Sequence, residues 1–181
     1  MSTELEIKYL KAYKKLGATL IERGQWFLRK AFNVKVLKRT TKIDIINLLV
    51  GKGFFLNKMR FTDFWYDVIS LDVMKEIIKY SWVDKKEYVA ETFDCDDFAL
   101  AFRGHVSETY GINSIALAKH IKVVTDTGKE MWHRAVVFLA VDNGIMNAYL
   151  LETQNDKLIK LNKNEEIRLG SWTYKLSEIE F

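Results

Sequence analysis

The sequence predicts an α+β protein, and three observations support this class. Apolar residues recur at helical spacing over much of the first 110 residues. After residue 115, apolar runs with the alternation of strands are separated by short turn segments. One of these turns is Asn143-Gly144, the dipeptide most typical of a tight β-hairpin. With 49% hydrophobic residues in 181, the chain is able to bury a sizeable core.

Composition excludes several classes of protein. The only cysteine is Cys95, so an intramolecular disulfide and a zinc site built from several cysteines are both excluded. The first residues lack the pattern of a secretion signal, and no apolar run approaches the length of a membrane span. We therefore expect a cytoplasmic protein without a transmembrane segment, and release by lysis stays open.

Charge is divided unevenly along the chain. Residues 1–60 hold 14 Lys and Arg against 4 acidic residues, whereas residues 61–181 hold 14 against 20. This division predicts a basic helical region at residues 1–80 packed on a core at residues 81–181. The basic region suits either an anionic partner or the acidic surface of the core. The chain carries no nucleic-acid motif, so no nucleic-acid partner is expected.

Three helices are predicted in the basic region. Residues 5–32 form a basic amphipathic helix, or two helices broken near Gly24, whose apolar stripe suits a docking face or a membrane surface. Thr41 is a suitable N-cap for a second helix that ends near Gly51. Residues 61–80 are predicted as a third helix.

A fourth helix and a β-meander follow. Asp94 is a suitable N-cap, and Gly111 is a suitable stop for a helix between them. The predicted strands are Ile115–Val124, Met131–Val141 and Ile145–Thr153, with a last hairpin around Gly170.

Cys95 stands in the first turn of this fourth helix. The helix N-terminus stabilises a thiolate and so favours a nucleophilic cysteine. Asp96 and Asp97 oppose that charge, so a metal ion or an imidazolium is needed nearby to offset them.

His133 is the histidine best placed for that role. The Asn143-Gly144 turn sets a register in which His133 lies opposite Gln154 and on the same sheet face as Glu152. A carboxylate within hydrogen-bonding reach of an imidazole orients the ring. His105 is expected to pack on the helix, and His120 is expected at the surface.

These residues carry a resemblance. The run from Asp94 to Ala99, followed by Trp132-His133 and by Leu151-Glu152-Thr153-Gln154, resembles the papain-like and transglutaminase-like cysteine proteases. It most resembles the papain-like C-terminal domain of Marasmius agglutinin and its bacterial and phage relatives. The resemblance covers about residues 80–156. It implies a papain-like core in which a catalytic helix packs on an antiparallel sheet.

The resemblance also implies a calcium-dependent thiol protease. Cys95 would be the nucleophile, His133 the general base and Glu152 its orienting acid. Calcium would be held by the two acids after the cysteine and by a residue after Glu152; this set is Asp96, Asp97 and Gln154.

The chain departs from the family pattern in two places. It has no sugar-binding repeat domain, so lectin activity is not expected. Papain uses a glutamine for the oxyanion hole at the position of Val89, so the backbone of Cys95 and the side chain of Tyr88, Trp82 or Trp132 would have to donate instead. The tryptophans are otherwise expected in the core.

The function predicted from this resemblance is acyl transfer, with hydrolysis of a peptide or protein substrate, and a homodimer stays open. One alternative is a cell-wall peptidoglycan amidase or endopeptidase, which the basic helices would suit. The other is a non-catalytic phage or structural protein that retains the fold.

Overall fold

The computed structural model describes residues 4–54, 57–163 and 166–181, with side chains in the first helix described from Lys11 onward. Among these residues, no helix combines the length and apolar character that crossing a membrane requires.

Helix α1 is one continuous helix, Glu4–Ala31, so the predicted break near Gly24 does not occur. Its last turns attach it to the rest of the chain. The Arg29 guanidinium donates to the backbone oxygen of Thr109 at 2.6 Å, and the Phe32 ring lies 5.9 Å from that of Tyr110.

The next elements are β1 (Lys38–Thr41), α2 (Lys42–Gly51), β2 (Lys58–Arg60), β3 (Trp65–Ser70) and α3 (Leu71–Lys79). Thr41 caps α2 in a reciprocal box with Asp44, which confirms the predicted second helix. The prediction of a helix over residues 61–80 is wrong in its first half. There the chain forms β3, which buries Tyr66 and Val68 on one face, and α3 starts only after the N-cap Ser70.

A short 3-10 turn (Val83–Lys85) leads towards α4 (Cys95–Tyr110). Asp94 is the N-cap of α4, and Gly111 ends it with a φ of 70°, as predicted. The strands after it are β4 (Ile115–Val124), β5 (Glu130–Asp142), β6 (Ile145–Glu152), β7 (Lys157–Lys160), β8 (Ile167–Leu169), β9 (Trp172–Lys175) and β10 (Glu178–Glu180). The β5–β6 hairpin has the predicted register, with Asp142 opposite Ile145, and β8–β9 is the predicted last hairpin.

The ten strands found in the described residues belong to one sheet, whose main path has the order β1-β3-β5-β4-β10-β2. Strand β6 also pairs with β5 and lies off this path. The sheet is mixed, since β3 runs parallel to β5 and β2 parallel to β10. The predicted α+β class is confirmed, but a purely antiparallel sheet is not. Helices α3 and α4 cover one face through residues such as Phe102, and α2 covers the other through Leu49.

Candidate functional site

The site is a groove at the N-terminus of α4. Its volume is about 230 Å³, and it is lined by Cys95, Asp96, His120, Trp132, His133 and Arg134. Two elements supply most of this lining: the first turn of α4 and the first half of β5. The helix is held there because its apolar side packs on the sheet, which leaves its first turn free to meet β5.

His133 and Glu152 are brought together as the sequence predicts. The His133 Nε2 and Glu152 Oε2 atoms are 2.5 Å apart, and both side chains are largely buried. The ring of Tyr174 lies 6.1 Å from that of His133. Burial, and then the charge of Glu152, raises the pKa of the Tyr174 hydroxyl, which keeps it neutral beside the carboxylate.

Cys95 completes this group. Burial lowers the pKa of His133, but hydrogen bonds to Cys95 and Glu152, together with their charges, outweigh it and raise the pKa to about 9. His133 is therefore protonated near neutral pH. The group therefore places a positive charge beside the Cys95 side chain at the N-terminus of α4.

The carboxylates around Cys95 are tied to one another. Asp94 accepts from the backbone of Asp96, and Asp97 accepts from the backbone of Asp94. Asp96 also pairs with Arg134 at 2.7 Å. A hydrogen bond with the Asp94 side chain, together with partial burial, raises the pKa of Asp96. Carboxylate oxygens gathered in this way suit a hard cation.

The groups gathered closely enough for one cation are those of Asp94, Cys95 and Asp96, whose ligand atoms lie within 4.8 Å of one another. Of the predicted calcium ligands, Asp96 belongs to this cluster. Asp97 follows in the same turn with one oxygen used in the capping box, and Gln154 lies in the turn after β6. Asp94 is thus an addition to the set that the sequence predicts.

Trp132 stands on the rim of the groove with 70% of its surface exposed. A β-bulge between Ala118 and Ile121 turns His120 towards it; His120 has a φ of 53°, and its ring lies 6.4 Å from the indole. Trp82 and Trp65 are exposed as well, so the expectation that the tryptophans lie in the core is wrong.

The remaining predicted residues flank the groove. Tyr88 precedes a tight loop closed by Val89 and Phe93 and is exposed. Desolvation, and then the charge of Asp94, raises the pKa of the Tyr88 hydroxyl.

Sequence reasoning missed three residues of the site: Arg134, His120 and Tyr174. Arg134 could have been found, because it lies two residues after Trp132 on the same strand face. The bulge that turns His120 and the strand that brings Tyr174 to His133 leave no signal in the sequence. His105, by contrast, is half-buried against Tyr110 as predicted.

Solved structures of a lectin from Polyporus squamosus share the fold. One, described as "PSL1a-E64 complex", has a TM-score of 0.57 and 22% identity, and the match covers 79% of this chain and 51% of that one. Another is the Polyporus squamosus lectin bound to Neu5Acα2-6Galβ1-4GlcNAc, with a TM-score of 0.56, 21% identity, and coverage of 79% and 49%. No protein-family model and no curated protein matches the chain.

This chain spans about half the length of those lectin chains, and at such identity the likeness concerns the fold. It corrects the predicted identity. The two structures reported above are of a lectin, and neither description names a protease, so the identification as a papain-like or transglutaminase-like cysteine protease is wrong. The prediction of an enzyme that hydrolyses a peptide or protein substrate is corrected with it.

Proposed function

We propose that this chain is a non-catalytic carbohydrate-binding protein and that its groove holds a glycan. The observation that carries the proposal is the indole of Trp132, which is 70% exposed at the rim of a polar groove. Tryptophan is enriched at binding interfaces because it combines a large apolar face with a polar N–H group. A sugar ring suits it, because the C–H face of the ring packs on the indole while the hydroxyls remain free to hydrogen-bond.

Hydrogen-bonding groups stand on both sides of the indole. Asp96 and Arg134 line the groove and offer an acceptor and a planar donor. On the other side of Trp132 lies a second depression of about 300 Å³, lined also by Lys122 and Glu130. A chain of two or three sugars could therefore pass over the indole and meet polar side chains at each end.

Larger cavities in the described residues suit a glycan less well. One of about 430 Å³ is lined by Lys75, Lys79 and Lys85 among others, with no aromatic ring. In one of about 370 Å³ the aromatic lining residues are Phe54, which is partly buried, and Tyr174, which is 3% exposed, so neither offers a ring as free as that of Trp132.

The lectin fold supports a glycan as the ligand class. The sialylated trisaccharide Neu5Acα2-6Galβ1-4GlcNAc is the ligand of the lectin in one of those structures, and it is the first probe for this chain. The carboxylate of the sialic acid would face the positive charge of the groove. Arg134 and the His133 imidazolium line the groove and supply this charge.

The Cys95–His133–Glu152 group then has a binding role. Glu152 keeps His133 protonated, and the imidazolium, whose ring nitrogens are hydrogen-bonded to Glu152 and Cys95, adds positive charge to the wall of the groove. Calcium is proposed at the same end of α4, with Asp96, Asp97 and Gln154 as the ligands that the resemblance implies and Asp94 beside them. A bound cation would neutralise these carboxylates and fix the first turn that forms one wall of the groove.

Binding to immobilised Neu5Acα2-6Galβ1-4GlcNAc and to Galβ1-4GlcNAc tests the proposal. We expect Trp132→Ala to weaken binding at least about tenfold, because truncating an aromatic anchor removes most of the energy of such a contact. Trp65→Ala is the matched control: Trp65 is 53% exposed but lies outside the groove lining, and its loss should leave affinity unchanged. Absence of glycan binding, or turnover of a protein substrate that Cys95→Ala abolishes, would contradict the proposal.

A further inference from the structure

Helix α1 carries an apolar face that nothing in the described chain covers. Tyr13, Leu20 and Phe27 are 70%, 60% and 64% exposed. They recur every seven residues, with Gly17 and Gly24 between them, and we call these five residues the α1 stripe. Leu16, Ile21 and Leu28 border it and are exposed as well.

The α1 stripe is not the face by which α1 attaches to its own domain. Arg29, which donates to the Thr109 backbone, follows Leu20 by nine residues. At 3.6 residues per turn, nine residues correspond to about half a rotation beyond two full turns. The attachment and the α1 stripe therefore lie on opposite sides of the helix.

The glycines of the stripe have no role in the isolated chain. A Cβ atom placed on Gly17 or Gly24 would meet nothing within 4 Å, and both residues lie inside a helix, where alanine is the more stable choice. A glycine that weakens a helix without a local reason indicates that another backbone or a large side chain approaches there.

We propose that α1 pairs with α1 of a second copy of this chain as an antiparallel coiled coil. The spacing 13, 17, 20, 24, 27 alternates four and three residues, which is the seam of a left-handed coiled coil. When Gly17 is placed opposite Leu20 of the second copy, Gly24 falls opposite its Tyr13. Each small residue thus receives a large one, and the same stripe is complementary to itself.

The charges that border the α1 stripe and the area of its apolar face are both consistent with a second copy of the chain as the partner. The antiparallel register sets Lys14 beside Ile21 of the second copy on one border of the seam, and Arg23 beside its Leu16 on the other. The aliphatic parts of the basic side chains therefore cover apolar side chains, and no two basic residues face each other. The exposed apolar side chains amount to on the order of 500 Å² per copy, and the pair therefore reaches the roughly 1,000 Å² that a specific interface needs.

An anionic membrane surface is the rival occupant, because α1 is basic as well as apolar. The substitution Gly24→Leu distinguishes a second copy of the chain from a membrane surface as the partner of α1. It enlarges the apolar face and favours the helix, so it would strengthen membrane binding, but it fills the space that Tyr13 of the second copy needs. Ala18→Leu, on the other side of the helix, adds the same side chain outside the stripe and serves as the control.

Sedimentation equilibrium of the full chain measures the pairing. We expect a dimer for the wild type and for Ala18→Leu, and at least about a tenfold weaker dimer for Gly24→Leu. Co-sedimentation with phosphatidylserine vesicles is run in parallel. A wild-type monomer at 100 µM, or vesicle binding that Gly24→Leu increases while the dimer is unaffected, would overturn the proposal.

The direction of pairing has its own measurement. A spin label at Lys30→Cys, in a Cys95→Ala background, lies near the C-terminal end of α1. Antiparallel helices would separate the two labels by about 35 Å, whereas parallel helices would bring them within about 15 Å. A distance of the second kind would refute the antiparallel register.

Discussion

Helices α1 and α4 are both amphipathic, and only one of them buries its apolar face. Phe98, Phe102 and Val106 of α4 recur every four residues and are at most 2% exposed, because they pack on the sheet. The apolar residues of α1 recur every three or four residues and remain in water. The spacing of apolar residues thus determines which side of a helix seeks a partner, while the partner itself is determined by what the rest of the chain places opposite.

The largest expected effect comes from the buried face of α4. Phe102→Ala should lower the free energy of unfolding by about 3–5 kcal/mol, because it removes a fully buried ring and leaves a cavity. Phe27→Ala is the matched change on α1 and should cost less than about 0.5 kcal/mol in a dilute, monomeric sample. Urea unfolding of both variants measures the difference. Equal losses of unfolding free energy would contradict the statement that only α4 buries its apolar face.

The contact between the start of α4 and the sheet gives the next effect. Glu152→Gln should destabilise the protein by about 2–3 kcal/mol near pH 7, since it leaves the buried imidazolium of His133 without its carboxylate. Glu166→Gln removes an exposed partner of Arg168 and should cost about 0–1 kcal/mol. Similar losses of unfolding free energy in the two variants would show that the His133–Glu152 pair stabilises the fold no more than an exposed ion pair does.

The same pair predicts how stability depends on pH. The pKa of His133 is raised from 6.5 to about 9 in the folded protein. The stabilisation is therefore fully present below pH 6.5 and is lost as the pH rises through about 9. Unfolding free energies at pH 6 and pH 9.5 should differ in the wild type by about 2–3 kcal/mol and by clearly less in Glu152→Gln. A wild type with no loss over this range would contradict the assigned protonation.

Calcium is expected to act at the first turn of α4 and not on α1. At about ten times its dissociation constant, it should stabilise the fold by about 1.4 kcal/mol, which raises the melting temperature by roughly 3–6 °C. Asp96→Asn should remove this rise, whereas Asp126→Asn, in the exposed β4–β5 turn, should keep it. An unchanged melting temperature at millimolar calcium would contradict the proposed calcium site.

The smallest effect belongs to the attachment of α1. Arg29→Ala removes the hydrogen bonds to the Thr109 and Glu108 backbone oxygens and should cost about 1 kcal/mol. Hydrogen exchange should become faster in the last turns of α1 and stay unchanged in α4. Lys30→Ala, one residue further along, is the control. Faster exchange in α4 would mean that the two helices form one cooperative unit.

Much of the fold follows from local patterns in the sequence. The caps Thr41 and Asp94, the Gly111 stop and the Asn143-Gly144 hairpin all act on neighbouring residues, and each is found where it is predicted. β3 was missed because Trp65, Val68 and Ile69 satisfy both helical and strand spacing. The parallel pairs with β5 and β10 connect distant segments and have no local signature.

The site shows the same division. His133 and Glu152 were predicted to share a face because a turn of known type fixes the register between them. Trp132 is expected in the core because aromatic residues in apolar strands are usually buried, yet it lies in the part of β5 that extends beyond its pairing with β6. The resemblance around Cys95 led to a protease, and the fold comparison corrected this prediction.

The most direct test of the proposed function is the indole N–H resonance of Trp132 during a titration with Neu5Acα2-6Galβ1-4GlcNAc. A saturable shift of this resonance, together with the Arg134 side chain and without change at Trp65, is the expected result. Saturable shifts that leave Trp132 unmoved, or the absence of any shift at millimolar trisaccharide, would contradict a glycan site at this groove.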